Sequence, residues 1–105
     1  MTKVLFICNQ NKHRSKTAED IFKNRFETKS AGLFCPKPLT EKELSWAEVV
    51  MVMEEAQREE ISKRFPKLYL QKRVLNLGIP DKYNYGNSEL TKILNQKIEE
   101  YSDLF

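Results

Sequence analysis

The segment from Cys8 to Ser15, CNQNKHRS, places a nucleophilic side chain close to one that binds anions. Five residues separate Cys8 from Arg14, and Ser15 follows directly. A cysteine thiolate is a strong nucleophile, and the planar guanidinium of arginine binds two phosphate oxygens at once. The spacing therefore predicts a phosphate-binding loop that contains its own nucleophile.

The residues on either side of this loop predict a strand before it and a helix after it. Lys3–Ile7 is an apolar run typical of a buried strand, and an apolar helical stripe follows Ser15. A loop that opens onto a helix N-terminus presents N–H groups and a positive dipole end to an anion, and the same field favours a thiolate. The alternative is that Cys8 is a small core residue, the common place for a free cysteine.

Further apolar segments predict the other strands of a sheet. Glu48–Met53 and Arg73–Ile79 are rich in β-branched and apolar residues, and Glu27–Leu33 is a weaker candidate. The runs Lys3–Ile7 and Glu48–Met53 are nearly continuous in apolar residues. This pattern fits strands that are covered on both faces, as in a parallel sheet.

Helical patterns alternate with these strands. A capping box, Thr40–Glu43, opens a short helix, and Glu54–Arg64 is a charged helix that ends at Phe65-Pro66. A longer amphipathic helix is entered at Asn87-Ser88. The order β-α-β-α-β-α-β-α predicts an α/β fold with a four-stranded parallel sheet and helices on both faces, a three-layer doubly wound arrangement. A length of 105 residues predicts a single domain, 1–105.

A carboxyl group at the same edge of the sheet completes the predicted site. An alkoxide or phenoxide that leaves phosphorus needs a proton, so an acid should face the nucleophile. Asp81 follows the last predicted strand and therefore emerges on the same edge as Cys8. The alternative is that Asp81 is a turn residue, because Pro-Asp is a common turn pair.

Composition argues against several classes of function. The chain has 18 basic and 15 acidic residues mixed along its length, a net charge of +3, which predicts no nucleic-acid partner. No apolar stretch approaches the ~20 residues that span a bilayer, and the N-terminal run is too short for a signal peptide. Two cysteines without a signal predict free thiols in the cytoplasm. A single His and no Cys/His cluster predict no metal and no cofactor.

The segments Cys8–Ser15 and Thr17–Phe22 resemble the signature loop and first helix of the low-molecular-weight protein tyrosine phosphatases. Later segments are similar to that family's second strand, third strand and acid loop, in the right order: Ser30–Gly32, Trp46–Met53, and Ile79–Tyr83 with Tyr85–Asn87. The resemblance implies a metal-independent phosphomonoester hydrolase of the protein tyrosine phosphate type. Its expected partners are a phosphorylated protein or a small phosphomonoester, with inorganic phosphate as product and inhibitor.

The resemblance also implies roles for individual residues. Cys8 would attack phosphorus to form a phosphocysteine, with Arg14 on the phosphate oxygens. Asp81 would protonate the leaving oxygen and later take a proton from water. Ser15 would bind the Cys8 sulfur, Asn11 would brace the loop, and Tyr83 would flank the substrate ring. The complete predicted binding set is Asn9, Gln10, Asn11, Lys12, His13, Arg14, Ser15 and Tyr83.

This chain departs from the family pattern at several positions. Gln10 stands where the family usually has glycine, His13 replaces a common second cysteine, and Lys82 replaces the proline of the acid loop. The chain is also short, with the deletion between Gly32 and Trp46. These departures favour an alternative, a non-catalytic phosphate- or phosphoprotein-binding module. Asp81 argues against this alternative, because a binding module needs no proton donor.

Five side chains have open interpretations. Lys12 and Lys82 either attract dianionic substrates or are ordinary surface lysines. Phe34 is expected to line the pocket left by the deletion. Cys35 is either an unpaired thiol or a redox partner of Cys8, and an arsenate reductase-like enzyme is a weaker alternative because it needs additional cysteines. His13 is either an exposed loop residue or an aid to catalysis.

Overall fold

The structure, a computed structural model, describes residues 1–104. Its sheet has four parallel strands in the order β2-β1-β3-β4, which confirms the predicted α/β fold. The strands are β1 Lys3–Cys8, β2 Glu27–Gly32, β3 Val49–Val52 and β4 Arg73–Asn76. Strand β1 pairs with β2 on one side and with β3 on the other, so Cys8 ends a central strand where the strand order reverses. Ligands of parallel sheets bind at such a point.

Five α-helices surround the sheet in the described part of the chain, followed by a short 3-10 helix, Ser102–Leu104. No helix among residues 1–104 is long and apolar enough to cross a membrane. The α-helices are α1 Arg14–Phe22, α2 Glu41–Trp46, α3 Glu55–Arg64, α4 Pro66–Gln71 and α5 Ser88–Glu100.

Alternate residues of β1 face two separate apolar cores. Val4 and Phe6 pack with α1 and α5 on one face, whereas Leu5 and Ile7 pack with α2 and α3 on the other. All four side chains are fully buried, and each such burial contributes about 1.5–3 kcal/mol. This arrangement confirms the three layers and explains why β1 is a continuous apolar run.

The structure corrects two details of the expected elements. The chain was expected to leave helical structure at Phe65-Pro66, but Pro66 begins a further helix, α4. Proline suits this first helical position because its fixed φ and missing N–H cost nothing there. Strand β4 ends at Asn76 rather than Ile79, because the Asn76 side chain accepts a hydrogen bond from the Gly78 N–H and Gly78 has a φ of 64°.

Candidate active site

The loop between β1 and α1 curls around the sulfur of Cys8. Asn11 has a φ of 55°, a left-handed conformation that asparagine tolerates better than most residues. Its N–H points to the Cys8 Sγ at 3.2 Å. The loop therefore directs a backbone donor at the predicted nucleophile, and this supports the bracing role expected of Asn11.

The end of β2 packs directly against this loop. The backbone N–H of Phe34 donates to the carbonyl of Asn9 at 2.7 Å. A Cβ on Gly32 would lie 3.0 Å from both the Asn9 carbonyl oxygen and the Asn11 nitrogen, and 2.8 Å from the Cys35 Sγ. Gly32 is thus required by close backbone approach, and its absent side chain lets the second strand support the loop.

Three side chains form a hydrogen-bonded chain that begins at the nucleophile. The Cys8 Sγ lies 2.9 Å from the Ser15 Oγ, and Ser15 donates to the Asn11 Oδ1 at 2.7 Å. A hydroxyl has one proton, so in this arrangement the Cys8 thiol donates to Ser15. When Cys8 ionises, the Ser15 proton can turn to the sulfur.

Arg14 is held rigidly at the floor of the site. It is 1% exposed, and its Nη1 donates to the Glu54 Oε1 at 2.5 Å and to the Ile79 carbonyl at 2.7 Å. Its Nη2 lies 3.8 Å from the Asp81 Oδ2. A buried guanidinium needs such partners, and the anchoring of Nη1 leaves Nη2 directed towards Asp81.

The side chain of Gln57, near the start of α3, holds the phosphate loop by a hydrogen bond. Its side chain is buried, donates to the Asn9 Oδ1 at 2.9 Å and accepts from the N–H groups of Met53 and Glu54 at 2.7 and 3.0 Å. Sequence reasoning missed Glu54 and Gln57 as site residues. Their spacing does form a capping box at the start of α3, but a capping signal marks a helix start and not a contact with a distant loop.

The three predicted catalytic residues meet at one cleft of about 250 Å³. Four of the eight predicted phosphate-binding residues border it too. Its lining is Cys8, Gln10, Lys12, His13, Arg14 and Asp81. The Asp81 side chain is 58% exposed, so it can turn within the cleft.

A second cleft of about 340 Å³ adjoins the first and shares Gln10 and Lys12 with it. Phe34, Cys35 and Pro36 complete its lining, so Phe34 borders a pocket as expected. The Phe34 ring is more than half exposed, and the Arg64 guanidinium carbon lies 5.2 Å from its centroid. The second cleft thus offers an exposed aromatic ring beside cationic side chains.

Two backbone N–H groups of the Asp81 loop donate hydrogen bonds to side chains at the start of α1. The Tyr85 N–H donates to the His13 Nδ1 at 3.1 Å, and the Gly86 N–H donates to the Thr17 Oγ1 at 3.0 Å. The Tyr85 hydroxyl also donates to the carboxylate of Asp20. This bond raises the pKa of Tyr85 above its ordinary value, and burial acts in the same direction.

Two residues considered in the sequence analysis, Tyr83 and Cys35, do not border the first cleft. Tyr83 is partly buried against the α1–α5 core, with the Lys82 Nζ 5.4 Å from its ring centroid, and does not line either cleft described above. The role of Tyr83 beside a substrate ring stays a prediction. Cys35 is a free thiol whose Sγ donates weakly to the Lys37 carbonyl at 3.5 Å. Among residues 1–104, no three His, Cys, Asp or Glu side chains are grouped to hold a metal ion.

Comparison with known proteins identifies the fold. No family model matches the chain, and no curated protein gives a significant sequence match. Solved structures do match over nearly the whole chain. The tyrosine phosphatase Wzb from Escherichia coli K30, in complex with phosphate, is 19% identical with a TM-score of 0.78, covering 98% of this chain and 97% of that one.

Two further structures agree. The YwlE arginine phosphatase from Geobacillus stearothermophilus is 20% identical with a TM-score of 0.74, covering 98% of this chain and 94% of that one. The low-molecular-weight protein tyrosine phosphatase from T. tengcongensis is 22% identical with a TM-score of 0.74, covering 95% and 99%. The chain therefore has the fold of the low-molecular-weight protein tyrosine phosphatases.

Proposed function

We propose that this protein hydrolyses phosphate monoesters, without a metal ion, through a phosphocysteine intermediate. The observation that carries the proposal is the meeting of the Cys8 thiol, the buried Arg14 guanidinium and the Asp81 carboxyl at one cleft. Matching structures that are tyrosine and arginine phosphatases add support. Two reduced thiols suit the cytoplasm, where we place the protein.

In the first step, the Cys8 sulfur attacks phosphorus, an S–P bond forms and the P–O bond to the leaving group breaks. The Arg14 Nη2 and the loop N–H groups hold the other phosphate oxygens, on which charge is spread in the transition state. Because Nη1 of Arg14 is already held by Glu54 and Ile79, this donor needs little reorganisation during the reaction.

Asp81 supplies the proton that the leaving oxygen needs. In the free protein its carboxylate faces the Arg14 Nη2 at 3.8 Å. A phosphate bound at Arg14 satisfies the guanidinium and presents negative charge to Asp81, which favours the protonated carboxyl required of a donor. In the second step Asp81 takes a proton from the water that attacks the phosphocysteine.

Ser15 assists the second step. Cys8 leaves phosphorus as a thiolate, and the Ser15 Oγ, 2.9 Å from the sulfur, can donate its proton to that charge. The Ser15 hydroxyl then no longer donates to the Asn11 Oδ1. The Asn11 N–H keeps its hydrogen bond to the sulfur, at 3.2 Å. The pair thereby lowers the energy of the departing thiolate.

The second cleft favours an aryl leaving group, as in phosphotyrosine. The exposed Phe34 ring can stack against an aromatic ring. Lys12 borders both clefts and would repel the guanidinium that leaves from a phosphoarginine. Among phosphorylated proteins and small phosphomonoesters, we therefore place aryl phosphates first.

Gln10 keeps the alternative of a non-catalytic phosphate-binding module open, because its side chain borders both clefts where the family usually has glycine. Asp81 argues against it, since a module that only binds phosphate needs no proton donor. Cys35 borders only the second cleft. An arsenate reductase-like reaction, which needs further cysteines close to Cys8, is therefore the weakest alternative.

The test is hydrolysis of p-nitrophenyl phosphate with chelator and reductant present. We expect turnover by the wild type, none by Cys8→Ser, and a loss of about 100-fold in Asp81→Asn, in line with general acid catalysis. Asp103→Asn, an exposed carboxylate after α5, is the matched control and should keep full activity.

An inactive wild type would overturn the enzyme proposal. Protection of Cys8 from alkylation by phosphate or vanadate would then favour the binding module. Reduction of added arsenate to arsenite that consumes one pair of thiols per turnover, counted by thiol titration, would instead indicate reductase chemistry.

A further inference from the structure

The loop that carries Asp81 depends on α1 for its position. Of its residues 80–87, all but Tyr83 are exposed, and Tyr83 packs against the α1–α5 core. The backbone bonds from Tyr85 and Gly86 to side chains of the first loop and α1 are therefore its main polar anchors at the cleft.

Both backbone anchors lead to His13. The first is direct, since the His13 Nδ1 accepts the Tyr85 N–H at 3.1 Å. The second runs through Thr17, whose Oγ1 donates to the His13 carbonyl at 2.7 Å and thereby turns a lone pair to the Gly86 N–H. His13 also lines the phosphate cleft. One residue thus touches both the phosphate loop's cleft and the acid loop's backbone.

The bond from Tyr85 fixes the protonation state of His13. A backbone N–H can only donate, so the His13 Nδ1 must carry a lone pair, and the proton of the neutral ring lies on Nε2. Protonation of the ring would put a second N–H against the Tyr85 N–H and break the bond. The contact therefore requires the His13 ring as a hydrogen-bond acceptor at Nδ1.

We propose that His13 is a positioning residue, which in its neutral form holds the Asp81 loop over the phosphate cleft through Tyr85. This inference rests on the proposed phosphatase function. It also explains why His13 can replace a cysteine of the family pattern: an imidazole at this position reaches the acid loop as a hydrogen-bond acceptor.

Charged groups surround His13 on both sides. From its own loop, Cys8 and the cations Lys12 and Arg14 share the cleft with it, and Asp81 faces it from the acid loop. Tyr85, which makes the contact through its backbone, also donates its hydroxyl to the Asp20 carboxylate.

The decisive experiment compares wild type, His13→Ala and His13→Asn on a series of aryl phosphates whose leaving phenols differ in acidity. Proton donation matters most for the least acidic phenols. We expect His13→Ala to lower kcat/KM at least about tenfold for phenyl phosphate and less than about threefold for p-nitrophenyl phosphate. The Oδ1 of asparagine can replace Nδ1 as acceptor, so His13→Asn should recover most of the phenyl phosphate activity.

Two outcomes of this comparison contradict the positioning role. A uniform loss of activity in His13→Ala across all leaving groups would overturn the proposal, because it would indicate a role in phosphate binding alone. So would a His13→Asn variant as impaired as His13→Ala.

Hydrogen exchange of the Tyr85 amide tests the anchor without any turnover. We expect protection in the wild type and in His13→Asn at neutral pH, and at least about tenfold faster exchange in His13→Ala under the same conditions. Equal protection in all of these samples would overturn the positioning role. An inactive wild type with the expected exchange pattern would instead overturn only the phosphatase function.

Discussion

The Arg14 Nη1 lies 2.5 Å from the Glu54 Oε1 at the junction of β3 and α3. The pair joins the end of the phosphate loop to a strand two crossovers away in sequence. Arg14 is buried, whereas the Glu54 side chain is 41% exposed. The ion pair therefore orients the guanidinium more than it stabilises the fold. Glu54 binds Nη1, and the other nitrogen, Nη2, faces Asp81.

Removal of Glu54 should misplace Arg14. We expect Glu54→Ala to lower kcat/KM for an aryl phosphate about tenfold, because the freed Nη1 then competes for new partners. Stability to urea should fall by about 1–2 kcal/mol, the range for a lost hydrogen bond to a charged group discounted for exposure. Glu54→Gln keeps an acceptor and should stay within about threefold of the wild-type rate.

The control for this prediction is Glu55→Ala. Glu55 is exposed and bonds to Arg58, which lowers the pKa of Glu55. Its loss should leave kcat/KM unchanged. An unaltered rate in Glu54→Ala would show that Ile79 alone is enough to hold Arg14.

Gln57 should matter more for stability than any exposed polar residue of the helices. Gln57→Ala leaves the Asn9 Oδ1 and the N–H groups of Met53 and Glu54 without their partner. Each unsatisfied buried group costs about 1–3 kcal/mol, so we expect a loss of about 3 kcal/mol in chemical unfolding. Exposed Gln71→Ala on α4 should change stability by less than about 0.5 kcal/mol.

Phosphate affinity separates two explanations of this effect. If Gln57 also holds the phosphate loop, Gln57→Ala should weaken inhibition by inorganic phosphate. This inhibition is measured without denaturant, where the variant is still folded. A destabilised variant with unchanged phosphate inhibition would restrict Gln57 to capping α3.

Loss of the Ser15 hydroxyl should slow the second chemical step. In Ser15→Ala the departing Cys8 thiolate loses a donor 2.9 Å away, so hydrolysis of the phosphocysteine should become rate-limiting. We expect kcat to fall about 10- to 100-fold. Rapid-quench experiments should show a burst of phenol. Mass spectrometry of the quenched samples should show the phosphorylated protein. A fall in kcat without accumulated phosphoenzyme would place the role of Ser15 in the first step.

The sequence predicts the parts of this molecule whose causes are local. The apolar run of β1 predicts a buried central strand, and the Cys8–Arg14 spacing predicts a loop at its end, because both patterns depend on neighbouring residues. Glu54 and Gln57 could not be predicted as site residues, since their partners lie 40 and 48 positions away. The tertiary path of α3 alone brings them to the loop.

Tyr83 shows a second limit of sequence reasoning. Its place in the acid loop predicts contact with substrate, which stays a prediction, and the structure adds that its ring packs on the α1–α5 core. An aromatic side chain in a loop can bury its ring or present it, and the free energy of burial decides between them. His13 and Tyr85 were likewise joined only by the fold, 72 positions apart.

The Tyr85–Asp20 bond should appear in the titration of the tyrosines. The bond raises the pKa of Tyr85, so its contribution to loop stability is complete below the ordinary tyrosine pKa and is lost as pH rises through the raised value. Subtracting the phenolate absorbance of Tyr85→Phe from that of the wild type should isolate one tyrosine that titrates above the ordinary value of about 10.

The same variant tests whether the hydroxyl bond helps to hold the acid loop at neutral pH. Tyr85→Phe keeps the backbone N–H on His13 and loses only the bond to Asp20. We therefore expect a small fall in kcat/KM for phenyl phosphate, about two- to threefold, because a single exposed hydrogen bond contributes little to the position of a loop. Asp20→Asn should bring the pKa of Tyr85 back towards its ordinary value, because the raising charge is gone. A Tyr85 that titrates normally in the wild type would show that the loop does not form this bond in solution.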